Sequence, residues 1–305
     1  MKVLVVGFGF GARHARLLED LGCETAVVSR RDIAHPRRYA TLKSALHAWK
    51  PGYVIVANET AAHRAILKEL ADCAYDGRVL VEKPVFDAPQ ARFDTRFSHA
   101  AVAYQFRCHP LVAELARNLA GQKIIEARVH VGQWLPDWQP NRDYRETSYA
   151  QKAKGGGVLR DISHELDLAL HLFGPWQRLT ALGGHLSDLE IDTEDSYALL
   201  MQTQRCPSVT VTLNYLDRPK SRAIFVNTQH ATYSGDLFTG VLEKNGAVLA
   251  RYDTTPDALY TAQHQAMIAG DTQRLCSLDE GLAVLDLIAA AERATAEKIW
   301  VHNAT

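Results

Sequence analysis

The sequence predicts an α/β protein of two domains, a doubly wound parallel sheet followed by an α/β domain whose sheet is mainly antiparallel. Three observations predict it. Short apolar runs alternate with helix-spaced segments over residues 1–121, and a glycine-rich turn joins the first strand to the first helix. Beyond Gly121, turn-separated alternating runs take over. The length of 305 residues also suits two domains, at about 150 residues each.

Lys2–Val6 is a short apolar run of the kind a buried parallel strand shows. Gly7–Gly11 interrupts it, and Ala12–Leu21 continues with apolar residues at helical spacing. Thr25–Ser29, Val54–Ala57 and Val79–Val81 read as further strands, with helical patterns at Lys43–Trp49 and Ala62–Ala71 between the later ones. Strands joined by helical crossovers form a parallel sheet with right-handed connections. Ala101–Tyr104 reads as one more strand, and Leu111–Leu119 as a helix closing the first domain, 1–121. In the second domain, 122–305, Ile124–Val131 alternates like a strand with one covered face. A long loop then passes Trp134, Trp138 and Tyr144, and Gly155-Gly156-Gly157 opens a helix running to about Phe173. Leu179–Leu182, Ser196–Gln202, Val209–Asn214, Ala223–Asn227 and Ala231–Ser234 are strands spaced for antiparallel pairing. Asp257–Ala269 and Leu278–Lys298 read as helices, the last placed to pack back on the first domain.

Composition narrows the function. A net charge of −1 gives no electrostatic case for nucleic acid or a membrane surface as partner. No run approaches the ~18 apolar residues of a membrane span. The N-terminal apolar run is too short for a signal peptide and leads into glycines rather than a cleavage site. The 5 cysteines are odd in number, widely spaced and contain no C-x-x-C, which points to reduced thiols in a cytoplasmic protein and to no metal site.

Gly7-Phe8-Gly9-Phe10-Gly11-Ala12 reads G-x-G-x-x-A between a strand and a helix. Gly7 permits the tight turn, Gly9 lets the backbone approach a pyrophosphate, and Ala12 lets helix and strand pack closely. The helix start at Phe10–Ala12 offers N–H groups and the positive dipole end to phosphates. This is a dinucleotide-binding turn of the Rossmann type. The second strand ends in Ser29-Arg30-Arg31, where NAD-binding units usually carry a carboxylate for the ribose 2′-OH. A hydroxyl and guanidiniums suit a 2′-phosphate instead, so NADP(H) is favoured. Asp32, close by, keeps NAD(H) open.

Two further segments carry chemistry. Val79–Val81 runs into Glu82-Lys83-Pro84, setting a lysine at the carboxyl end of a parallel strand, where such folds bind ligands; Pro84 permits a cis peptide. On a helix, Asp161, His164 and Glu165 stand at i, i+3 and i+4 and share one face beside an apolar stripe. The histidine among the carboxylates points to acid/base work, with a salt-bridged helix face as the alternative. Trp138, Arg142, Tyr144 and Arg145 crowd the preceding loop and suit sugar rings with phosphate or carboxylate groups, or else pin the loop. Gln105 and Arg107 follow a strand end that faces the same crevice, whereas His109, before Pro110, reads as structural.

With these residues in view, the chain resembles the Gfo/Idh/MocA (glucose-fructose oxidoreductase / inositol dehydrogenase) family. The resemblance rests on GFGFGARHARLL, Thr60 and His63, Glu82-Lys83-Pro84, AYQFRCHP at 103–110 and GGGVLRDISHELD at 155–167. It implies a Rossmann domain, a second domain with an open-faced sheet, and hydride exchange between nicotinamide and a secondary alcohol or ketone of a sugar, sugar phosphate or nucleotide-sugar. It also implies that Asn58, Thr60, His63, Glu82 and Lys83 lie at the cofactor. Family members commonly carry D-x-x-x-H; here Glu165 holds the +4 position and His164 the +3. That pattern is similar to a subgroup associated with surface-polysaccharide biosynthesis. The acid/base is therefore His164 or Glu165, with His164 favoured for its ordinary pKa of about 6.5. The same family also includes nicotinamide-dependent glycosidases and non-catalytic cofactor sensors, which are the alternative readings. An open apolar sheet face implies a homodimer or homotetramer.

Overall fold

In the computed structural model, which describes residues 1–91 and 93–303, the chain forms two units, each discontinuous in sequence. Met1–Cys108 joins Thr255–Leu285, and His109–Thr254 joins Asp286–Thr305. The sequence reading sets one boundary near 121; the contacts divide the chain at three places, because a return segment late in the chain adds to the first unit.

The first unit begins with β1 (Lys2–Val6), whose Val3, Leu4 and Val5 are fully buried. There follow α1 (Gly11–Asp20), β2 (Glu24–Val28), β3 (Arg38–Tyr39), α2 (Leu42–Trp49), β4 (Tyr53–Val56), α3 (His63–Asp72), β5 (Arg78–Val81) and β6 (His99–Val102). All adjacent pairs are parallel, in the order β6-β5-β4-β1-β2-β3. Continuous apolar runs suit strands covered on both faces. The order turns back between β1 and β4, so the carboxyl ends of those strands flank the crevice where open α/β sheets bind ligands.

The second unit opens with α4 (Pro110–Leu119), whose first turn is capped by His109 Nδ1 accepting from Leu111 N at 3.0 Å. Next come β7 (Ile124–Gly132), α5 (Val158–Asp161), α6 (His164–Phe173), β8 (Trp176–Gly184), β9 (Ser196–Thr203), β10 (Val209–Asn214), β11 (Ser221–Thr228), β12 (Thr232–Asp236), β13 (Val241–Lys244) and β14 (Ala247–Arg251). The continuous helix expected from Gly157 to Phe173 is broken into α5 and α6, because Ile162 leaves the helical region (φ −113°, ψ 37°). The hairpin of β13 and β14 was outside the expected strands; its Asn245-Gly246 turn takes positive φ at both residues.

The chain then contributes α7 (Pro256–Ala269) and the two-residue β15 (Cys276–Ser277) to the first unit, β15 pairing antiparallel with β6. In α8 (Leu278–Glu297), the stretch to Leu285 belongs to the first unit, where a Cβ on Gly281 would lie 2.5 Å from Val102 Cγ2. β16 (Val301–His302) completes the second sheet, ordered β14-β13-β12-β11-β7-β10-β9-β8-β16. All its pairs are antiparallel except β7 with β10. One face buries Val129, Val131, Leu199 and Val211, while the other exposes Leu182 (76%) and Leu200 (40%). All five cysteines are free thiols, and among the described residues no helix is long and apolar enough to cross a membrane.

Burial lowers the pKa of His63 and His264, and brings that of His109 down to about 4. In the unfolded chain each takes a proton near pH 6.5, so the unfolded state binds more protons as the pH falls below that value. The contribution to stability is complete above about pH 6.5 and lost toward pH 4. The denaturation midpoint should therefore fall between pH 7 and pH 5. His109→Asn, which keeps an acceptor for the Leu111 N–H, should flatten that dependence; an unchanged slope would contradict it.

Candidate functional site

The turn after β1 is shaped by two glycines for internal reasons. Gly7 (φ +90°) donates to Val28 O at 3.0 Å, and a Cβ there would lie 2.7 Å from Ala57 O and Asn58 N. A Cβ on Gly11 would lie 2.7 Å from Val5 Cγ1, so the close helix–strand packing expected of Ala12 falls to Gly11, where α1 begins. Gly9 differs: a Cβ there would meet no atom of the described residues within 4 Å. Phe10 is 63% exposed at the helix start.

Ser29 is buried after β2 and its Oγ accepts from Arg31 N at 3.1 Å, closing a tight turn. Arg30 and Arg31 are exposed, and among the described residues neither has a carboxylate partner. Arg38, brought alongside by β3, donates to Arg31 O at 2.9 Å and reaches Asp32 at 3.5 Å. Asn58 follows β4, and its Oδ1 is buried with no hydrogen-bond partner among the described residues. Thr60 begins a short 3-10 turn that leads into α3. The His63 ring lies between Asn58 O at 3.1 Å and the carbonyls of Pro84 and Val85 at 3.2 Å, an internal strut joining the segments after β4 and β5.

Glu82 follows β5. Its Oε1 lies 2.7 Å from His14 Nε2, and its Oε2 accepts from Lys83 N at 3.2 Å. Burial by itself raises the Glu82 pKa, but His14, Lys83 and His63 outweigh it and hold the carboxyl below its ordinary value. The Lys83–Pro84 bond is cis. Gln105 and Arg107 sit on a short turn after β6, both buried. Arg107 Nη1 donates to Leu275 O at 3.2 Å and to Glu280 Oε1 at 2.7 Å, which fastens that turn to the start of α8.

In the second unit the three glycines differ in their duties. Gly155 takes φ +76° in open space, a Cβ on Gly156 would collide with Ser148 O, and Gly157 (φ +122°) makes room for the Glu194 carboxylate. Glu194 accepts from Leu159 N at 3.3 Å and its carbonyl from Val158 N at 3.1 Å, capping α5. Asp161 Oδ2 accepts from Gly157 N at 3.0 Å and from the Tyr215 hydroxyl at 2.7 Å. Trp138 meets Tyr149 and Tyr215 edge to face at 5.0 and 5.2 Å, so the aromatic group and the carboxylate form one cluster.

His164 is 7% exposed at the first position of α6. The break at Ile162 removes the continuous face it was expected to share with Asp161. Glu165, 1% exposed, pairs with Arg222 of β11 at 2.8 Å. In the loop, Arg145 grips Asp143 and reaches Glu190 at 2.9 Å, Tyr144 accepts from Glu190 N at 3.3 Å, and Arg142 donates to Glu146 O at 3.2 Å. Arg145 and Tyr144 are thus tied to each other through Glu190 rather than to Asp161. Tyr215, Glu194, Arg222 and His14 were not anticipated. His14 alone had a local signal, three residues beyond the glycine turn.

Residues 112–234 match the model of the GFO/IDH/MocA C-terminal domain. Over this domain the chain is similar to the Gfo/Idh/MocA family. A comparison with curated proteins finds no match. Among solved structures, GenD2 from gentamicin A biosynthesis in complex with NAD is 21% identical, with a TM-score of 0.78 over 100% of this chain and 97% of its own. Levoglucosan dehydrogenase in complex with NADH and levoglucosan is 15% identical, with a TM-score of 0.83 over 100% of both chains. The WlbA dehydrogenase from Bordetella pertussis, in complex with NADH and UDP-GlcNAcA, is 18% identical, with a TM-score of 0.75 over 100% of this chain and 99% of its own. These likenesses establish the fold.

Breaking a buried ion pair by removing one partner costs about 3–5 kcal/mol, because the other charge is stranded. Glu165→Leu should therefore lower the unfolding free energy by about 3 kcal/mol in chemical denaturation, and adding Arg222→Met should restore most of it. Equal losses in the single and double variants would show that the pair is not the source.

Proposed function

We propose that the chain is a nicotinamide-dependent dehydrogenase or reductase that exchanges hydride with a secondary alcohol or ketone of a sugar, sugar phosphate or nucleotide-sugar. The observation that carries this reading is the concentration of chemistry at the carboxyl ends of β1, β2, β4 and β5. The glycine turn, Ser29–Arg31, Asn58 and Lys83 each follow one of these strands. Two details favour a bound dinucleotide. Among the described residues no neighbour calls for glycine at Gly9, which suits a ligand brought close to the backbone. Asn58 Oδ1 is a buried acceptor awaiting a donor.

The Gly7–Gly11 turn would hold the pyrophosphate and Asn58 a donor from the nicotinamide half. Ser29, Arg30 and Arg31, joined by Arg38, favour the 2′-phosphate of NADP(H), since three guanidiniums outnumber the lone Asp32 carboxylate at that turn. The bound cofactor supplies hydride transfer at nicotinamide C4. Lys83 donates to the substrate oxygen and stabilises developing alkoxide charge. His164 moves the proton, since Glu165 is committed to Arg222. Asp161, fixed by Tyr215 and Gly157 N, orients the reacting group. Trp138 offers an aromatic surface to a sugar ring, and Arg142, bound to a carbonyl rather than a carboxylate, keeps its charge for an acidic substituent. The exposed Leu182 and Leu200 on one sheet face support a homo-oligomer.

Lys83→Ala and His164→Ala should each lower kcat by about two to four powers of ten in an NADPH-linked assay with reactive sugar substrates. Near-wild-type turnover in either variant ends that residue's assignment. The Arg30→Ala/Arg31→Ala double variant should raise KM for NADPH about tenfold or more while barely changing that for NADH. Equal changes for the two cofactors would contradict the 2′-phosphate role.

A further inference from the structure

Within the first unit, three buried polar side chains and the partly buried Glu82 form an unbranched string. The Tyr53 hydroxyl lies 3.0 Å from His264 Nδ1, His264 Nε2 lies 2.9 Å from His14 Nδ1, and His14 Nε2 lies 2.7 Å from Glu82 Oε1. Tyr53 and His264 are 0% exposed and His14 is 1% exposed. They come from β4, α7 and α1, while Glu82 follows β5.

Protons can be placed along the string from one end. Tyr53 OH is fully buried and His264 Nδ1 is its hydrogen-bond partner among the described residues, so the phenol donates there. That makes Nδ1 of His264 an acceptor and leaves the ring proton on Nε2, where it is donated to His14 Nδ1. His14 in turn carries its proton on Nε2 and donates it to Glu82. Each donor is used once and all donations run toward the carboxylate. The opposite direction would leave the Tyr53 proton buried without an acceptor, a loss of about 1–3 kcal/mol. Burial opposes charge on both Tyr53 and His264, in keeping with a phenol that donates to a neutral His264 ring.

We propose that Tyr53, His264 and His14 are positioning residues for Lys83: the string orients the Glu82 carboxylate, which accepts the Lys83 backbone N–H and so fixes the segment that presents the lysine. The link to Lys83 is the 3.2 Å bond from its N–H to Glu82 Oε2. Successive hydrogen bonds polarise one another, so removing the distant phenol weakens the last donor as well. The role in turnover rests on the assignment of Lys83 made above; the proton placement does not.

The test begins with the cofactor-free protein. Long-range 15N–1H NMR at pH 7 should show both His14 and His264 as neutral rings protonated at Nε2; an Nδ1–H form or an imidazolium at either would overturn the direction of the string. In Tyr53→Phe, hydrogen exchange at the Lys83 amide should quicken about tenfold while the amides of β1 stay protected. Unchanged exchange at Lys83 would overturn the positioning role whatever the reaction proves to be. In turnover, His264→Leu should lower kcat about tenfold with KM for the cofactor little changed, a cost typical of small misplacement of a reacting group. His264→Gln, whose amide can accept from Tyr53 and donate to His14, should recover most of that loss. Equal kcat in the Leu and Gln variants would overturn the role of the string in catalysis. If the wild type turns over no sugar while the NMR and exchange results hold, the dehydrogenase assignment fails and the string stands.

Discussion

A carboxylate taken out of water must be met by donors or it will not remain ionised, and Glu82 imposes that demand at the edge of the first sheet. It stands one residue beyond β5, next to the lysine with the strongest claim on the chemistry. Its partners come from the helix after the glycine turn and from Lys83 itself. His63 adds a second tie, bridging the carbonyls on either side of the same crevice edge. The loops that would hold a dinucleotide are therefore cross-linked by polar bonds beneath a parallel sheet that is otherwise apolar. Rigidity at this edge is what a site for hydride transfer needs, since small displacements of a reacting group are costly in rate.

The second unit meets an equivalent demand by other means. Asp161 is fixed by a backbone N–H and a buried phenol, and the phenol is in turn walled by Trp138. The glycine run before it clears space for Ser148 O and for the Glu194 carboxylate that caps α5. Glu165 pairs with Arg222 in the interior, one position after His164 opens α6.

Much of the first unit was legible because parallel strands covered on both faces appear as uninterrupted apolar runs, as in Val3–Val6 and Tyr53–Val56. The glycine turn was equally plain, although the residue in closest helix–strand contact is Gly11 and not Ala12. What could not be read locally is long-range pairing. His14 meets His264, and Glu165 meets Arg222, across stretches of sequence that no periodicity connects. The break between α5 and α6 was hidden for a related reason, because Ile162 and Ser163 are buried by tertiary packing rather than marked by glycine or proline. The Asn245-Gly246 hairpin is the opposite case, a clear local signal that apolar periodicity passes over.

The account stands on hydride passing between nicotinamide and a sugar carbon with Lys83 stabilising the oxygen. Incubating the protein with C4-deuterated NADPH and a panel of keto-sugars, sugar phosphates and nucleotide-linked sugars, then locating deuterium by mass spectrometry, tests this directly. Deuterium should appear at one carbinol carbon of an accepted sugar with wild-type protein and fall to background with Lys83→Ala. No incorporation into any sugar by wild-type protein that binds the cofactor, or equal incorporation by the variant, would contradict it.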